Sequence, residues 1–185
     1  MKKSRMAGGV ALVTLLAAGV ALGGPGKKDR GFEADLSGYN EAPLTLSVAG
    51  SGTFEAELND AGTMLMFTLK YKDLSGNAAA AHVHLGRPGI AGGVMFFLCG
   101  GGRKPACPSG TSGTVTGTVV AADVIGPAGQ GIAAGEFDEV LAAMRAGATY
   151  ANVHTALFPG GEIRGRVKGD RGKGGNGKKK DDDEN

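Results

Sequence analysis

All three histidines of this 185-residue chain lie in two short segments, and imidazole is the commonest metal-binding side chain in proteins. His82 and His84 are two residues apart, and His154 follows Tyr150 and Asn152 at the same spacing. Residues two apart on a β-strand point to the same side of the sheet. If the two segments form neighbouring strands, the three imidazoles converge. Three neutral imidazoles suit copper or zinc, so the sequence predicts one mononuclear site, with copper preferred.

Small apolar residues at the opposite parity of both segments predict which side faces the core. They are Val83 and Leu85 in the first segment and Ala151 and Val153 in the second. The histidine side is therefore expected to be a polar face or a cleft. A second interpretation needs no metal: the imidazoles hydrogen-bond to Glu41, Glu162 or the Tyr150 hydroxyl and tie strand ends together.

Two glutamates and an arginine are candidates for supporting roles at this site. Glu162 and Arg164 are two residues apart after a Pro-Gly-Gly turn. Glu162 either orients an imidazole, or forms a partly buried ion pair with Arg164 that fixes strand register. Glu41 is either a partner of Arg164 or an additional oxygen ligand. Tyr150 and Asn152, which share the parity of the third histidine, complete the supporting set.

Two methionines are candidates for thioether support. Met64 and Met66 have the parity opposite to Leu65 and Phe67, and one hypothesis places them on the side that the histidines occupy. There they would support copper in its reduced state. The competing interpretation is that they fill gaps between other side chains, as methionine usually does.

Enzymatic sites of other kinds find no support in the sequence. It has no Gly-x-Ser-x-Gly elbow and no Gly-Lys-Ser/Thr phosphate loop. The His-x-His spacing is similar to that of copper/zinc superoxide dismutases, but a dinuclear site of that kind needs more than three histidines. We therefore expect a non-enzymatic metal-binding protein. The alternatives are a metal-free structural or adhesion module with an unknown protein or surface partner, and a copper-dependent redox enzyme.

The segments that must position these residues have mostly strand-like patterns. Apolar residues alternate with polar ones over residues 32–36, 54–58 and 65–72. Residues 94–98 are apolar on both parities and predict a buried central strand, and β-branched residues over 114–121 predict a further strand. Many short strands with glycine-rich turns indicate an all-β fold, an antiparallel Greek-key-like sandwich with an immunoglobulin or superoxide dismutase outline.

One segment has helical periodicity instead. Apolar residues recur at helical spacing within residues 136–146, acidic residues occupy the first turn, and Gly147 follows as a stop signal. The pattern predicts a single short crossover helix between strands.

The first 23 residues predict a cleavable signal peptide. A basic start precedes an apolar stretch from Ala7 to Leu22, which is glycine-interrupted and shorter than the roughly 20 residues a membrane-spanning helix needs. Its removal changes the formal net charge from +2 to about −1. A near-neutral chain without a basic stripe argues against nucleic acid as a partner. We expect an exported protein, periplasmic or extracellular, with no transmembrane anchor after cleavage.

Composition divides the remainder of the chain. Residues 24–31 predict a flexible lead-in, and residues 32–168 are the right size for one domain. Residues 169–185 predict a disordered charged tail, because no apolar residue follows Val167.

The two cysteines, Cys99 and Cys107, predict a disulfide across a short flexible loop, since an exported protein folds in an oxidising compartment. Closing such a loop stabilises by about 2–3 kcal/mol in the chain-entropy model. The alternative, a pair of thiolate metal ligands, lacks further cysteine or histidine nearby.

A series of motifs extends over most of the chain. It comprises Phe-Glu-Ala-Asp-Leu-Ser-Gly-Tyr-Asn-Glu-Ala-Pro from residue 32, Gly-Ser-Gly-Thr-Phe from residue 50, the two histidine segments, and Gly-Gly-Glu-Ile-Arg-Gly from residue 160. In this order the motifs resemble the CHRD domain family, named after chordin and also found alone in bacterial exported proteins. The departures are Ala42-Pro43, where the family often has two prolines, and the loop between the cysteines. The resemblance implies an extracytoplasmic β-sandwich and brings no established enzymatic activity.

Overall fold

The computed structural model describes residues 30–169, in which β-strands are interrupted by one α-helix. The helix, α1 (Phe137–Arg145), lies between β6 and β7, and single turns of 3-10 helix occur at Gly38–Asn40, Ala121–Asp123 and Ala128–Gln130. The strands are β1 (Gly31–Ser37), β2 (Ser51–Leu58), β3 (Leu65–Lys72), β4 (Ala78–Leu85), β5 (Gly93–Cys99), β6 (Gly113–Val119), β7 (Thr149–Thr155), β8 (Ile163–Arg166) and β9 (Lys168–Gly169).

The predicted ends of the chain fall largely outside this range. The signal peptide predicted for residues 1–23 lies outside the described residues, as do most of the predicted lead-in and tail. β1 already includes Gly31, the last residue of the predicted lead-in, and β9 includes Gly169, the first residue of the predicted tail.

The predicted alternation of apolar and polar residues is present in β1, β2 and β3. In each strand the side chains of one parity are apolar and buried, and those of the other parity are partly or fully exposed. Phe32 lies opposite Ala56, and Phe54 lies opposite Leu69. The rings of Phe54 and Phe67 are stacked in the core with centroids 6.5 Å apart. Burial of one face fixes the register, because a slip of one residue would turn the whole apolar set toward solvent.

Hydrogen bonds join eight strands in the order β5-β4-β7-β8-β1-β2-β3-β6, with β9 paired to β1, and all pairings are antiparallel. The pairing of β1 with β8 is limited to Ser37 and Arg164. The sheet thus has two four-stranded halves joined at a narrow seam. We call β5-β4-β7-β8 the histidine half and β1-β2-β3-β6 the alternating half. The end strands β5 and β6 approach each other, so the sheet is a nearly closed barrel.

The predicted all-β antiparallel class is confirmed, and the layout differs from two separate sheets. The Ser37–Arg164 pair makes the hydrogen-bonded path continuous through both halves. Residues 94–98 form most of β5. This strand lies at one edge of the sheet, so the prediction of a central strand there is wrong. At the edge of β5 the Met95 carbonyl accepts a hydrogen bond from the Ile125 amide at 2.9 Å. A loop thus covers part of the edge and allows this strand to be buried without a second neighbour.

The predicted crossover helix is confirmed as α1. Gly147, with φ of 62°, lies two residues after it in the left-handed conformation that commonly follows a helix end. Between residues 30 and 169, no helix is long and apolar enough to cross a membrane. The side chains that α1 buries are Phe137, Val140, Leu141 and Met144.

The predicted disulfide between Cys99 and Cys107 is present and closes the loop that follows β5. We call residues 99–107 the disulfide loop. Its Lys104 ammonium donates a hydrogen bond to the Thr118 carbonyl on β6 and lies 2.9 Å from the Asp123 carboxylate. The loop therefore spans the gap between the two end strands of the barrel.

Candidate metal centre

The two histidine segments form neighbouring strands, β4 and β7. In their antiparallel register Ala80 lies opposite His154, His82 opposite Asn152, and His84 opposite Tyr150. The other parity of both strands, which includes the apolar residues named above, is largely core. One potential ligand atom from each of the three histidines lies within 4.8 Å of the other two. The condition on which the sequence-based site depended, adjacency of the two strands, is met.

Backbone carbonyls orient two of the three imidazoles. Nδ1 of His84 donates to the Gly92 carbonyl at 3.0 Å, and Nδ1 of His154 donates to the Pro159 carbonyl at 3.0 Å. A carbonyl can only accept, so these contacts place the proton of each neutral ring on Nδ1 and leave the lone pair on Nε2. Nε2 of His84 is buried and has no hydrogen-bond partner within the part of the chain that the structure describes. Fixing the non-ligating nitrogen in this way is how proteins commonly aim an imidazole at a metal.

The remaining imidazole, that of His82, contacts the ring of His154 directly. Nδ1 of His82 lies 3.1 Å from Nε2 of His154, and the latter atom accepts because its ring carries the proton on Nδ1. The ring of His82 also meets the edge of the Phe97 ring at 90°, with centroids 4.4 Å apart. His82 and His154 are partly exposed, whereas His84 is buried.

Burial keeps the three imidazoles neutral. Loss of hydration lowers the pKa of His82 to about 3, with smaller contributions from the two neighbouring histidines. Burial lowers the pKa of His84 to about 4, which the hydrogen bond to Gly92 partly opposes. The pKa of His154 is also lowered by burial. At neutral pH the three rings therefore hold lone pairs rather than extra protons, which is the form that binds metals.

A stack of Arg164, Tyr150 and His84 lies on one side of the histidine cluster. The Tyr150 ring is parallel to the His84 ring at a centroid distance of 4.7 Å, and the Arg164 guanidinium lies 3.5 Å from the Tyr150 centroid. Nη2 of Arg164 donates to the carbonyls of Arg87 (3.0 Å) and Ile90 (2.7 Å). Because these carbonyls belong to the loop that carries Gly92, the stack fixes the acceptor that orients His84.

Glu162 has neither of the roles considered for it in the sequence. Its side chain is fully buried, and its carboxylate accepts from the Ser75 amide at 2.6 Å and from the Thr155 hydroxyl at 2.7 Å. It contacts no imidazole and forms no ion pair with Arg164 within the described residues. The reason is that Glu162 precedes the first residue of β8, so the strand parity on which the prediction depended does not apply.

Glu41 lies beside Asn152 and Arg164 but is not one of the clustered ligand groups. It is 7% exposed, and burial raises its pKa to about 7, against the opposing effects of the Arg164 charge and the Asn152 side chain. Oε1 of Glu41 and Oδ1 of Asn152 are both buried and have no hydrogen-bond partner among residues 30–169. Neither role predicted for Glu41, ion-pair partner or metal ligand, corresponds to a direct contact.

The methionines are elsewhere in the molecule. Met66 lies on β3 in the alternating half with 45% of its surface exposed, and Met64 directly precedes that strand. The strand order places β8, β1 and β2 between β7 and β3. The structure therefore does not bring these thioethers to the histidines. The parity argument could not have detected this, because parity does not identify the face that two distant strands share.

Three contributors to the site were missed at the sequence level: the carbonyls of Gly92 and Pro159 and the ring of Phe97. Any residue can supply a carbonyl, so neither loop residue carries a sequence signal for this role. Phe97 was assigned only to an apolar strand, and the register that pairs it with His82 includes a β-bulge. Bulges change which side chain points to which side and cannot be read from alternation.

Comparison with known families supports the resemblance noted in the sequence. The family model of the CHRD domain matches residues 32–167, which is most of the chain. Neither the curated proteins nor the solved structures include a match to this chain.

Proposed function

The chain belongs to the CHRD domain family, and we propose that its cluster of three histidines binds one transition-metal ion, copper in preference to zinc. The observation that carries the proposal is the convergence of His82, His84 and His154, with one potential ligand atom of each within 4.8 Å of the others. Two of the rings are already oriented by carbonyls, and the buried Nε2 of His84 lacks any other partner. A buried polar atom without a partner costs about 1–3 kcal/mol, and a bound metal ion would remove that cost.

The separations of the ring nitrogens suit a small metal ion. Nitrogen ligands about 2.0–2.1 Å from zinc in tetrahedral geometry lie roughly 3.3–3.5 Å from one another. Nδ1 of His82 and Nε2 of His154 are 3.1 Å apart, and the ligand atoms of all three rings lie within 4.8 Å of one another. Binding therefore requires the third ring to move closer by at most about 1.5 Å. Three protein ligands leave a fourth position for water or another ligand.

The ligand set favours copper or zinc over other metals. Imidazole suits both, and divalent copper binds nitrogen sites more tightly than zinc does. Among residues 30–169, the group of clustered ligand atoms includes no carboxylate for magnesium or calcium, and the two cysteines are joined to each other. Copper is the first choice on this ordering.

We propose that the site acts outside the cytoplasm and binds rather than turns over a substrate. The disulfide and the signal-like first 23 residues support export. The non-catalytic assignment is the simpler proposal, because a redox enzyme additionally requires a reactant that reaches the open coordination position.

A metal-free structural module is the second candidate, and the hydrogen bond between His82 and His154 favours it. In that case the imidazoles serve as mutual partners and stabilise the fold. The two candidates differ in what a histidine deletion does. Loss of a ligand removes metal binding from a folded protein, whereas loss of a structural partner lowers stability without any metal.

The test is metal uptake by the purified, metal-depleted protein, measured by elemental analysis after addition of copper(II) or zinc and removal of excess. We expect one equivalent to remain bound to the wild type and none to His84→Ala, with both proteins folded by circular dichroism. Thr149→Val is the control, because Thr149 is buried in β7 but offers no imidazole; it should retain the metal. Wild-type protein with no micromolar uptake of either ion would falsify the proposal and leave the structural module.

A further inference from the structure

Within the histidine cluster, the ring of His82 lacks the backbone hydrogen bond that orients the other two rings among the described residues. Carbonyls fix Nδ1 of His84 and His154, whereas the ring of His82 has one hydrogen-bond partner within residues 30–169, Nε2 of His154. A metal that binds both of these nitrogens breaks that hydrogen bond. The remaining ring contact that restrains His82 outside the cluster is with the edge of Phe97.

Phe97 is in turn held by the disulfide loop. The backbone of Gly101 and Gly102 lies against the ring: a methyl group at Gly101 would come within 2.7 Å of Cδ1 and 2.9 Å of Cζ, and one at Gly102 within 3.0 Å of Cδ2. Gly102 also has φ of 58°, a conformation that glycine adopts readily. Two consecutive glycines therefore allow the loop backbone to close onto the aromatic ring.

Two sets of interactions hold the disulfide loop in place. The Cys99–Cys107 bond closes the loop around the two glycines, and Lys104 ties it to the Thr118 carbonyl and to the Asp123 carboxylate. The contacts therefore run continuously from the sulfur–sulfur bond through the glycine backbone and Phe97 to the imidazole of His82.

We propose that the disulfide loop, acting through Phe97, positions His82 and makes metal retention depend on the oxidation state of Cys99 and Cys107. Phe97 is a positioning residue, because it touches the ligand and not the metal. The inference rests on the proposed metal site and adds a means of regulating it.

The redox step is an ordinary thiol–disulfide exchange with a dithiol reductant. The dithiol supplies two electrons, the Cys99–Cys107 bond breaks, and the donor's two sulfurs form a disulfide. The two protons of the donor pass to Cys99 and Cys107, which become thiols. The opened loop then no longer presses Gly101 and Gly102 onto Phe97, and His82 gains rotational freedom. Partners that orient metal ligands typically contribute ten- to a hundredfold in metal affinity, so we expect roughly a tenfold effect.

The experiment compares metal release from the full chain with and without the disulfide. Cys99→Ser/Cys107→Ser opens the loop without adding thiols that would themselves bind metal. Each protein is loaded with one equivalent of copper(II), or of zinc in a parallel series, and transfer to an excess of chelator is timed. Release from the double-serine variant is expected to be about ten times faster than from the oxidised wild type.

Two further variants keep the disulfide and test the link itself. Phe97→Leu should speed release to a similar extent, and adding it to the double-serine variant should have little further effect, because both changes break one series of contacts. Gly101→Ala should also speed release by displacing the ring. Its matched control is Gly117→Ala, which sets a methyl group 3.0 Å from the Phe67 ring in the alternating half and should leave release unchanged.

A second measurement does not depend on metal. Diethyl pyrocarbonate acylates accessible neutral imidazoles, and labelling of the metal-free protein can be read residue by residue by mass spectrometry. His82 should react faster in the double-serine and Phe97→Leu variants than in the wild type, while His84 reacts at the same rate in all three.

The outcomes separate this inference from the proposed function. Equal release and equal His82 labelling in the wild type and the double-serine variant overturn the role of the loop and leave metal binding intact. A wild type that binds no metal overturns the proposed function together with any control of metal retention. If the double-serine variant does not fold, Phe97→Leu and Gly101→Ala in the oxidised chain decide the question.

Discussion

The two halves of the sheet treat polar side chains in opposite ways. In the alternating half, β1, β2 and β3 bury one face and expose most of the polar residues on the other. In the histidine half, β4 and β7 bury much of the second face as well, so His84, Tyr150 and Asn152 are covered although they are polar. Loops cover that second face, whereas the corresponding face of the alternating half is open.

The difference extends to buried polar atoms without a partner. Among residues 30–169, four of the five such side-chain atoms belong to residues of the histidine half or its covering loops: Glu41, His84, Thr149 and Asn152. Each costs about 1–3 kcal/mol in a native protein, and proteins keep few of them. The comparison indicates that the histidine half tolerates buried polar groups that the alternating half does not, and His84 is the one of them that belongs to the proposed metal site.

The largest expected effect is on stability in the alternating half. Phe54 is 1% exposed and stacks with Phe67. Phe54→Ala removes this packing and leaves a cavity, so the free energy of unfolding should fall by about 3–5 kcal/mol. Urea unfolding measures the loss. Metal stoichiometry of the fraction that remains folded should stay at the wild-type value, and a selective loss of metal from folded protein would contradict the assignment of metal binding to the histidine half.

The next effect falls in the histidine half. Arg164→Met keeps an unbranched side chain but leaves the carbonyls of Arg87 and Ile90 without their donor. Hydrogen bonds from a charged group contribute about 1.5–3 kcal/mol, so unfolding free energy should fall by about 2–3 kcal/mol and metal binding should weaken as the loop loosens. Arg166→Met is the matched control on the same strand, since Arg166 is exposed and its Nε donates to the Gly147 carbonyl. Equal losses in the two variants would argue against a special role for Arg164.

A pH-dependent effect follows from Glu41. Its folded pKa is about 7 and its ordinary value is 4.5, so the folded state binds the proton more tightly than the unfolded state. The associated stability is present below pH 4.5 and is lost as pH rises through 7. At pH 8 this pKa difference corresponds to about 3 kcal/mol, which solvent screening reduces. Glu41→Gln cannot ionise, so at pH 8 the metal-free variant should be more stable than the wild type by about 2–3 kcal/mol, and the gap should close toward pH 4.5.

Urea unfolding of both metal-free proteins between pH 4.5 and pH 8 measures this difference. The histidines contribute with the opposite sign: burial lowers their pKa, so their stability is present above pH 6.5 and is lost as pH falls toward 4 and 3. The wild type and Glu41→Gln share the contribution of the histidines, so the difference between their unfolding free energies reports on Glu41 alone. A constant difference across the range would show that Glu41 does not titrate in it.

The smallest effect is expected on the open face of the alternating half. Glu55 lies opposite Glu33, and like charges at directly opposed positions destabilise slightly. Glu55→Gln should change the free energy of unfolding by less than about 0.5 kcal/mol and leave metal binding unchanged. A change above 1 kcal/mol, measured by the same urea method, would mean that this face is more than a solvated surface.

Local patterns predicted a large part of the fold. Alternation identified β1, β2 and β3, helical spacing identified α1, and two cysteines together with a predicted export signal predicted the disulfide. The pattern did not determine the barrel, because it depends on the single pairing of Ser37 with Arg164 between the two halves. Nor did it place β5, whose apolar character on both parities is typical of a central strand and also of an edge strand covered by loops.

The candidate site likewise includes features that the sequence predicted and features that it did not. Strand parity correctly grouped His82 with His84 and His154 with Tyr150, and the register of β4 with β7 then brought all three imidazoles together. Parity failed for Glu162, which lies just before its strand, and for Met66, which faces outward from a strand in the other half. It also gave no indication that Phe97 meets His82.

The sequence by itself determined which side chains share a side of each strand, because the two-residue period follows from the covalent geometry of an extended chain. It also determined that the only three imidazoles lie on two such strands. Only the tertiary structure decided that those strands are neighbours and that the Gly92 and Pro159 carbonyls orient two of the rings. The pairing of β4 with β7 joins residues about 70 positions apart, whereas each carbonyl lies within eight residues of the histidine it orients. Both depend on how the strands and loops pack in three dimensions rather than on any local pattern.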